Sequence, residues 1–247
     1  MTSNPPTQMS FLQHLDELRS RLLRAIIGVV VAFALGLSVA RPVYGFLVRP
    51  VRQYLPEGEQ LVFTNLTDPF MLYMFVAFLT GLFLASPYVV TQLWLFIAPG
   101  LYSKERHYAV PFVLFTTLFF LGGGAFGYYV VLPPACKFFI EQGLDWDFRP
   151  VITARELLGF EARILVGLGL VFEMPILMFF LARMGLVTPG FLWRKFKYAI
   201  LIIFILAAIL TPTPDVVTQS LFAAPMVVLY LLSILIAAIF GKKRDEE

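Results

Sequence analysis

The sequence is short of charge. Only 14% of its 247 residues are Asp, Glu, Lys or Arg, whereas 59% are hydrophobic and 26 are phenylalanine. Because soluble globular domains carry about 25% charged residues, this composition predicts an integral membrane protein. Two long runs, 69–102 and 108–136, contain no charged side chain at all. Each run is longer than the roughly 20 residues that a helix needs to cross the hydrocarbon core of a bilayer.

Residue types and motifs on which enzymes depend are also scarce. A single cysteine, Cys136, excludes an intramolecular disulfide, and the only histidines are His14 and His107, on polar segments. The sequence contains no G-x-x-x-x-G-K-[ST], H-E-x-x-H or G-x-S-x-G motif, so we expect neither ATP hydrolysis nor protease chemistry. We predict a protein that is not an enzyme and that holds neither a metal nor another cofactor.

What is present is a series of six apolar runs. Lipid offers the backbone no hydrogen-bond partner, so each run predicts a helix. We expect a single all-α membrane domain over 1–247, with an amphipathic cytoplasmic helix at 10–24 before the first span. The six spans are predicted at 25–40, 69–98, 108–132, 160–182, 197–210 and 216–240. The fifth and sixth spans are predicted to be short, because the fifth run has about 14 residues and Pro225 interrupts the sixth.

The basic residues give the orientation. With six spans, twelve of the nineteen lysines and arginines fall on one side of the membrane. They are Arg19, Arg21, Arg24, Lys104, Arg106, Arg183, Arg194, Lys195, Lys197, Lys242, Lys243 and Arg244. Because Lys and Arg accumulate in cytoplasmic loops, both termini are predicted to be cytoplasmic. Topology therefore accounts for the excess of positive charge, and we expect no nucleic-acid partner.

Two carboxylates on the cytoplasmic side are candidates for binding a cationic partner. Glu105 lies in the short polar segment between the second and third spans, which would hold it at a fixed place on the membrane surface. It could instead stabilise the start of the third helix through the helix dipole. Glu17 lies on the polar face of the amphipathic helix, where an i,i+4 pair with Arg21 is the simpler interpretation. Spacing alone favours the simpler interpretation for both residues.

Polar residues inside the predicted spans form a second group. Glu173 lies near the middle of the fourth span, where an ionised carboxylate costs at least about 3 kcal/mol. It could be a protonated acid, pair with a cation, face a wet cavity, or be a neutral structural acid. Gln92, in the second span, is a candidate polar neighbour. Asp215 could cap the last helix.

Four motifs together resemble one family. They are His14-Leu15-Asp16-Glu17-Leu18-Arg19-Ser20-Arg21; the run from Phe96 through Pro99 and Leu101 to Arg106; Phe172-Glu173-Met174-Pro175; and Leu210-Thr211-Pro212-Thr213-Pro214-Asp215. Their order on a six-span frame resembles the TatC family, the multispanning core of the twin-arginine translocase, over nearly the whole length.

The resemblance implies export of folded proteins across the bacterial inner membrane, driven by the proton gradient. It implies that twin-arginine signal peptides bind at the cytoplasmic face, and that the site includes Glu17, Glu105, Arg19, Phe96, Pro99 and Leu101. It implies single-span partners with amphipathic helices, of the TatA and TatB type, together with self-association and lipid contacts. Partner or intramembrane contacts are implied for Glu173, Gln92, Asp215 and Gln219.

Two other functions remain open from the residues alone. A proton-coupled small-solute transporter would explain Glu173 and the interrupted sixth run. Such a transporter should contain an internal repeat, and the connectors here differ in length and motif. A purely structural scaffold would explain the glycine run Gly122-Gly123-Gly124, which is typical of close helix packing, but not two carboxylates at the cytoplasmic face.

Overall fold

A computed structural model describes residues 11–56, 58–97, 109–211 and 215–241. Within these ranges the regular elements are helices, and one isolated β-bridge pairs Val62 with Thr153 in the connections between them. The α-helices are α1 Phe11–Leu47, α2 Arg49–Arg52, α3 Asp68–Ile97, α4 Ala109–Phe126, α5 Leu132–Leu144, α6 Ala154–Phe172, α7 Met174–Arg183, α8 Pro189–Arg194, α9 Phe196–Leu210 and α10 Val216–Phe240. Five helical segments are long and apolar enough to cross a membrane, and α9 is a shorter apolar helix. The predicted all-α class with six spans is confirmed.

The first span belongs to one continuous helix. The amphipathic helix and the first span, which the sequence analysis separated, are both parts of the 37-residue α1. At 1.5 Å per residue this helix is about 56 Å long, well beyond a hydrocarbon core of about 30 Å. The N-terminal turns that carry Glu17 and Arg19 therefore extend past the core on the cytoplasmic side.

Glycines bring the spans into close contact. A Cβ atom at Gly36 of α1 would lie 2.4 Å from the carbonyl oxygen of Ala77 in α3. On the facing helix, a Cβ atom at Gly81 would lie 2.7 Å from the Cα atom of Phe33. Between α4 and α6, a Cβ atom at Gly123 would lie 2.6 Å from the carbonyl oxygen of Leu168. Helix association in lipid depends on such close packing, because apolar burial contributes little there.

The third and fourth spans extend farther toward the periplasm than the apolar runs suggest. A short π-helix, Gly127–Val131, joins α4 to α5, so the third span continues to Leu144. The fourth begins at Ala154, six residues before the predicted start. There the hydroxyl of Thr153 caps α6 by accepting from the backbone N–H of Glu156 at 3.3 Å. The span is interrupted at Glu173, between α6 and α7.

The fifth and sixth spans differ in length. The 15 residues of α9 extend about 22 Å, so the prediction of a short fifth span is confirmed. The prediction of a short sixth span is wrong, since α10 runs without interruption for 25 residues. Pro225 removes one backbone hydrogen bond, but it does not end the helix, because Phe222, Ala223 and Met226 around it are buried at 0 to 1% exposure.

The periplasmic connections are tied to each other. The backbone N–H of Val62 donates to the carbonyl of Ile152 at 3.0 Å, and the N–H of Ala154 donates to the carbonyl of Val62 at 2.9 Å. Arg149 pairs with Glu59 at 2.6 Å. The connection after the first span and the one after the third therefore form a joined layer over the periplasmic ends of the helices.

Candidate functional site

Glu17 lies at the cytoplasmic end of α1 and is half-buried. Its Oε1 accepts a hydrogen bond from Nη2 of Arg21 at 3.3 Å, the i,i+4 pair that spacing predicts. The other carboxylate oxygen, Oε2, has no hydrogen-bond partner within the described ranges. Arg19, two residues on, is exposed. A single long contact to Arg21 is worth only a few tenths of a kcal/mol, about 0.2–0.5, so it does not prevent Glu17 from binding another cation.

The rest of the predicted cytoplasmic site lies largely outside the described residues. Pro99, Leu101 and Glu105 belong to the segment 98–108, of which the structure describes nothing. Phe96 is half-buried near the end of α3. The structure therefore does not test whether Glu17 and Glu105 form one site, and that juxtaposition stays a prediction.

Aromatic side chains hold the cytoplasmic ends of three spans together next to this segment. Trp94 of α3 packs on Phe112 of α4 with ring centroids 4.5 Å apart, and Phe112 meets Phe180 of α7 edge-on at 4.7 Å. The Trp94 and Phe180 rings are 5.5 Å apart and complete the triangle. Pairs of this geometry contribute about 0.5–1.5 kcal/mol each beyond their burial. The ends of the helices on either side of residues 98–108 are thus fixed to α7.

A groove of about 450 Å³ lies beside this triangle, between α4, α7 and α10. We call it the phenylalanine groove; its lining residues are Pro111, Phe112, Phe115, Phe119, Pro175, Ile176, Phe179, Phe180, Ile236 and Phe240. Every lining side chain is apolar. The groove begins in the first turn of α4 and at the last residue of α10, so it opens at the cytoplasmic end of the bundle. Sequence analysis did not find it, because its residues come from three separate spans.

Glu173 occupies the break between α6 and α7. Its N–H donates to the carbonyl of Leu170 at 3.2 Å, and its own carbonyl accepts from Leu177 at 3.0 Å. Pro175 follows within the first turn of α7 and supplies no N–H, so the backbone changes helix at this point. Oε1 of Glu173 is enclosed without a hydrogen-bond partner in the described part of the chain, and Thr116 of α4 lies beside the side chain.

A second groove, also of about 450 Å³, contains the Glu173 side chain. This Glu173 groove is lined by Gly167, Leu170, Val171, Glu173, Met174, Leu177, Met178, Leu206, Ile209, Leu210 and Met226, from α6, α7, α9 and α10. Its wall on one side is the short fifth span. Glu173 is the one ionisable side chain among the otherwise apolar side chains that line this groove.

The other predicted intramembrane residues have separate surroundings. Gln92 is buried in α3, and its Oε1 has no hydrogen-bond partner within the described ranges, so its role as a polar neighbour of Glu173 stays a prediction. Asp215 caps α10: Oδ1 accepts from the N–H of Thr218 at 2.8 Å, and the Thr218 hydroxyl donates to Oδ2. The Gln219 amide donates to the carbonyl of Phe204 at 2.9 Å, which links α10 to α9.

The sequence analysis missed Glu161, the most deeply buried acid of the described chain. It is 0% exposed, and neither carboxylate oxygen has a hydrogen-bond partner within the described ranges. Tyr128 and Cys136 are near enough to interact with it electrostatically. A helical-face analysis would have found it, because Leu157, Leu158, Ile164, Leu165 and Leu168 surround position 161 on one face and all are buried.

Six apolar helical segments in the described part of the chain define a polytopic membrane protein. Comparison with known proteins gives the family. The family described as "Sec-independent protein translocase protein (TatC)" matches residues 13–225. A Sec-independent protein translocase protein TatC from Koribacter versatilis is 48% identical over 238 residues, which cover 95% of this chain and 87% of that one. TatCy from Bacillus subtilis is 38% identical over 248 residues, covering 100% of this chain and 95% of that one.

Solved structures agree. A crystal structure of the twin-arginine translocase receptor TatC in the detergent DDM is 35% identical, with a TM-score of 0.83, and the match covers 93% of this chain and 100% of that one. The chain belongs to the TatC family. It is a multi-pass protein of the bacterial inner membrane and a component of the Sec-independent protein translocase. The TatC family is a family of transport proteins and not one of known enzymes.

Proposed function

We propose that this protein is the signal-peptide receptor and core of a twin-arginine translocase, which exports folded proteins by using the proton gradient. In this proposal Glu17 and Glu105 bind the two arginines of the signal peptide at the cytoplasmic face. The phenylalanine groove carries the proposal, because it offers an apolar signal peptide a docking surface beside the segment that contains Glu105. Pro111, which lines the groove, is six residues after Glu105 in the chain.

The carboxylates provide selectivity between arginine and lysine. A guanidinium group presents parallel N–H donors that match both oxygens of a carboxylate, whereas an ammonium group is a point charge. Glu17 uses only Oε1 for Arg21, at 3.3 Å. Because Oε2 is enclosed in the structure, an incoming arginine has to turn the carboxylate outward, and by then engaging both oxygens it replaces one long contact with two. Arg19, Phe96, Pro99 and Leu101 complete the proposed binding surface around the two acids.

Binding strength has to come from elsewhere. Exposed ion pairs contribute about 0–1 kcal/mol each, so two of them supply at most about 2 kcal/mol. Micromolar affinity requires about 8 kcal/mol. The remaining 6 kcal/mol or so corresponds to removal of about 240 Å² of the peptide's own apolar surface from cytoplasmic water, at about 25 cal/mol/Å². A groove lined by several phenylalanine rings offers that area, so the arginines select the peptide and the groove retains it.

The Glu173 groove is proposed as the site of a single-span partner of the TatA or TatB type. A transmembrane helix seated between α6, α7 and α9 would place a polar side chain against Glu173, in a place where few polar contacts compete. Asp215 and Gln219 are proposed to act indirectly, by fixing the start of α10 and its contact with α9. We propose that copies of the chain also associate with each other in the assembly.

Photocrosslinking tests the receptor function. A peptide with two consecutive arginines and a photoreactive group should crosslink to the protein in membranes, and the same peptide with two lysines should crosslink at least about tenfold less. Glu105→Gln and Glu17→Gln should each lower the arginine signal to the lysine level and abolish export without loss of membrane insertion. Asp16→Asn is the matched control, because Asp16 is an exposed acid beside Glu17. Normal export by Glu105→Gln would contradict its role.

A matched pair of neighbouring positions tests the phenylalanine groove. Phe115 lines the groove and is 54% exposed, whereas its neighbour Leu114 is 55% exposed and lies outside the groove. A photoreactive phenylalanine analogue at position 115 should crosslink to the apolar part of the peptide, and the same analogue at position 114 should crosslink to lipid. Equal peptide yields at the two positions would show that the peptide docks elsewhere. The acids and the groove are thereby tested separately.

A further inference from the structure

A third cavity lies at the periplasmic end of the bundle, opposite the phenylalanine groove. It occupies about 410 Å³ between the periplasmic ends of α1 and α3. Its inner wall includes Ala40 and Val76, each 1% exposed, and the segment 61–63 covers it. That segment is held in place by the two backbone hydrogen bonds of Val62, to Ile152 at 3.0 Å and from Ala154 at 2.9 Å. The cavity is therefore a built feature, with a fixed wall on each side.

The charge at this cavity is positive. Arg41 lines it and is exposed, and no ion pair joins Arg41 to any residue in the described ranges. None of the lining residues is acidic. The acid beside the cavity, Asp68, is 1% exposed and already engaged. Its Oδ2 accepts from the N–H groups of Thr64 at 3.1 Å and Asn65 at 2.9 Å, and its Oδ1 lies 3.7 Å from Arg155.

Arg41 is the first charged residue after the apolar run 25–40, so the cavity lies at the periplasmic edge of the predicted first span. Arg41 is in the second-last turn of α1, and Pro69 of the cavity is at the start of α3. Two tyrosines, Tyr44 and Tyr73, line the same cavity, and tyrosine is typical of the membrane–water interface. An arginine at this depth extends its guanidinium group into the headgroup layer while its aliphatic part stays against apolar surface.

We propose that this cavity binds an anionic phospholipid of the periplasmic leaflet. The phosphate contacts the Arg41 guanidinium group, which matches phosphate oxygens with paired donors. The upper part of one acyl chain lies against Leu61, Leu72 and Val76. A volume near the lower end of the usual range for ligand sites, about 300–1,000 Å³, fits part of one chain and not a whole lipid. A free phosphate ion would leave these apolar walls in contact with water.

Native mass spectrometry of the full chain in detergent tests this site. Phosphatidylglycerol and phosphatidylcholine with identical acyl chains are added separately, and the bound lipid that survives mild activation is measured. The wild type should retain phosphatidylglycerol preferentially. Arg41→Gln should lower that retention about fivefold, the contribution of one basic residue near an anionic headgroup, and should lower phosphatidylcholine retention less, because the choline ammonium group offsets the charge of its phosphate. Arg52→Gln is the matched control, because Arg52 is exposed on the periplasmic side but does not line the cavity.

A second pair of variants tests whether an acyl chain of the lipid enters the cavity. Leu72→Trp should fill the cavity and reduce retention of both lipids, whereas Met71→Trp, at an exposed neighbour outside the cavity, should not. The proposal is overturned if Arg41→Gln retains phosphatidylglycerol like the wild type, or if Arg52→Gln loses as much. It is also overturned if Leu72→Trp keeps its lipid. Displacement of phosphatidylglycerol by an equal concentration of inorganic phosphate would identify a simple anion site instead.

Discussion

Two glutamates of the fourth span, Glu161 and Glu173, have opposite surroundings. Glu161 faces the inside of the bundle at 0% exposure, with buried apolar residues on every side of its helical face. Glu173 lies at a break in the helix and lines a groove that another helix could enter. They are twelve residues apart in the chain, which is about 120° around a helix. The helical face, more than the position along the span, decides whether an acid is enclosed by packing or lines a groove.

The largest expected difference between the two positions is in folding. Glu161→Lys places an unpaired cation among Tyr128, Cys136 and apolar side chains, and a buried uncompensated charge costs about 3–5 kcal/mol. We expect little monodisperse protein after detergent extraction. Glu173→Lys should fold, because its side chain can extend into the groove. Size-exclusion chromatography of both variants checks this. Equal recovery would mean that Glu161 is far less enclosed than its surroundings indicate.

Partner binding should be more sensitive to substitution at position 173 than at position 161, the reverse of what is expected for folding. Glu173→Ala removes the polar group of the Glu173 groove and should reduce co-purification of single-span partners about three- to tenfold, given about 0.6–1.7 kcal/mol for a polar contact between helices in lipid. Glu161→Met should leave partner recovery at the wild-type level. If recovery is unchanged in Glu173→Ala, the acid has a structural role and the groove is not the partner site.

Sequence analysis identifies Glu173 as a candidate site and misses Glu161, for a physical reason. Glu173 is conspicuous because it lies far from both ends of an apolar run and precedes Pro175. Glu161 lies near polar residues such as Arg163, so an average over the window hides it, and only the 3.6-residue period reveals its buried face. The start of the fourth span was readable too. Thr153 and Glu156 form the Thr-x-x-Glu pattern of a helix N-terminus, although only the Thr153 half of that capping arrangement is formed.

Other features follow from the sequence to differing degrees. The six helices and their orientation depend on hydropathy and on basic residues, which are local properties, and both are predicted correctly. The length of α10 is not, because the effect of Pro225 depends on neighbours such as Phe222 that pack around it. The phenylalanine groove combines Phe115, Phe179 and Phe240 from three spans, and no local pattern indicates that they meet. The pairing of Glu17 with Glu105 remains a prediction.

The last contrast concerns the cost of keeping a carboxyl group at position 161. Both of its oxygens are enclosed without hydrogen-bond partners in the described chain, and an unsatisfied buried polar group costs about 1–3 kcal/mol. Glu161→Met replaces the carboxyl group with an unbranched apolar side chain that can adapt to the same space. We therefore expect this variant to unfold at a temperature a few degrees higher, in a thermal melt followed by light scattering in the same detergent. Glu173→Met, the matched change in the open groove, should move the melting temperature less. A lower melting temperature for Glu161→Met would mean that the carboxyl group has a partner in the folded protein, and the contrast between a packing acid and a contact acid would then have to be abandoned.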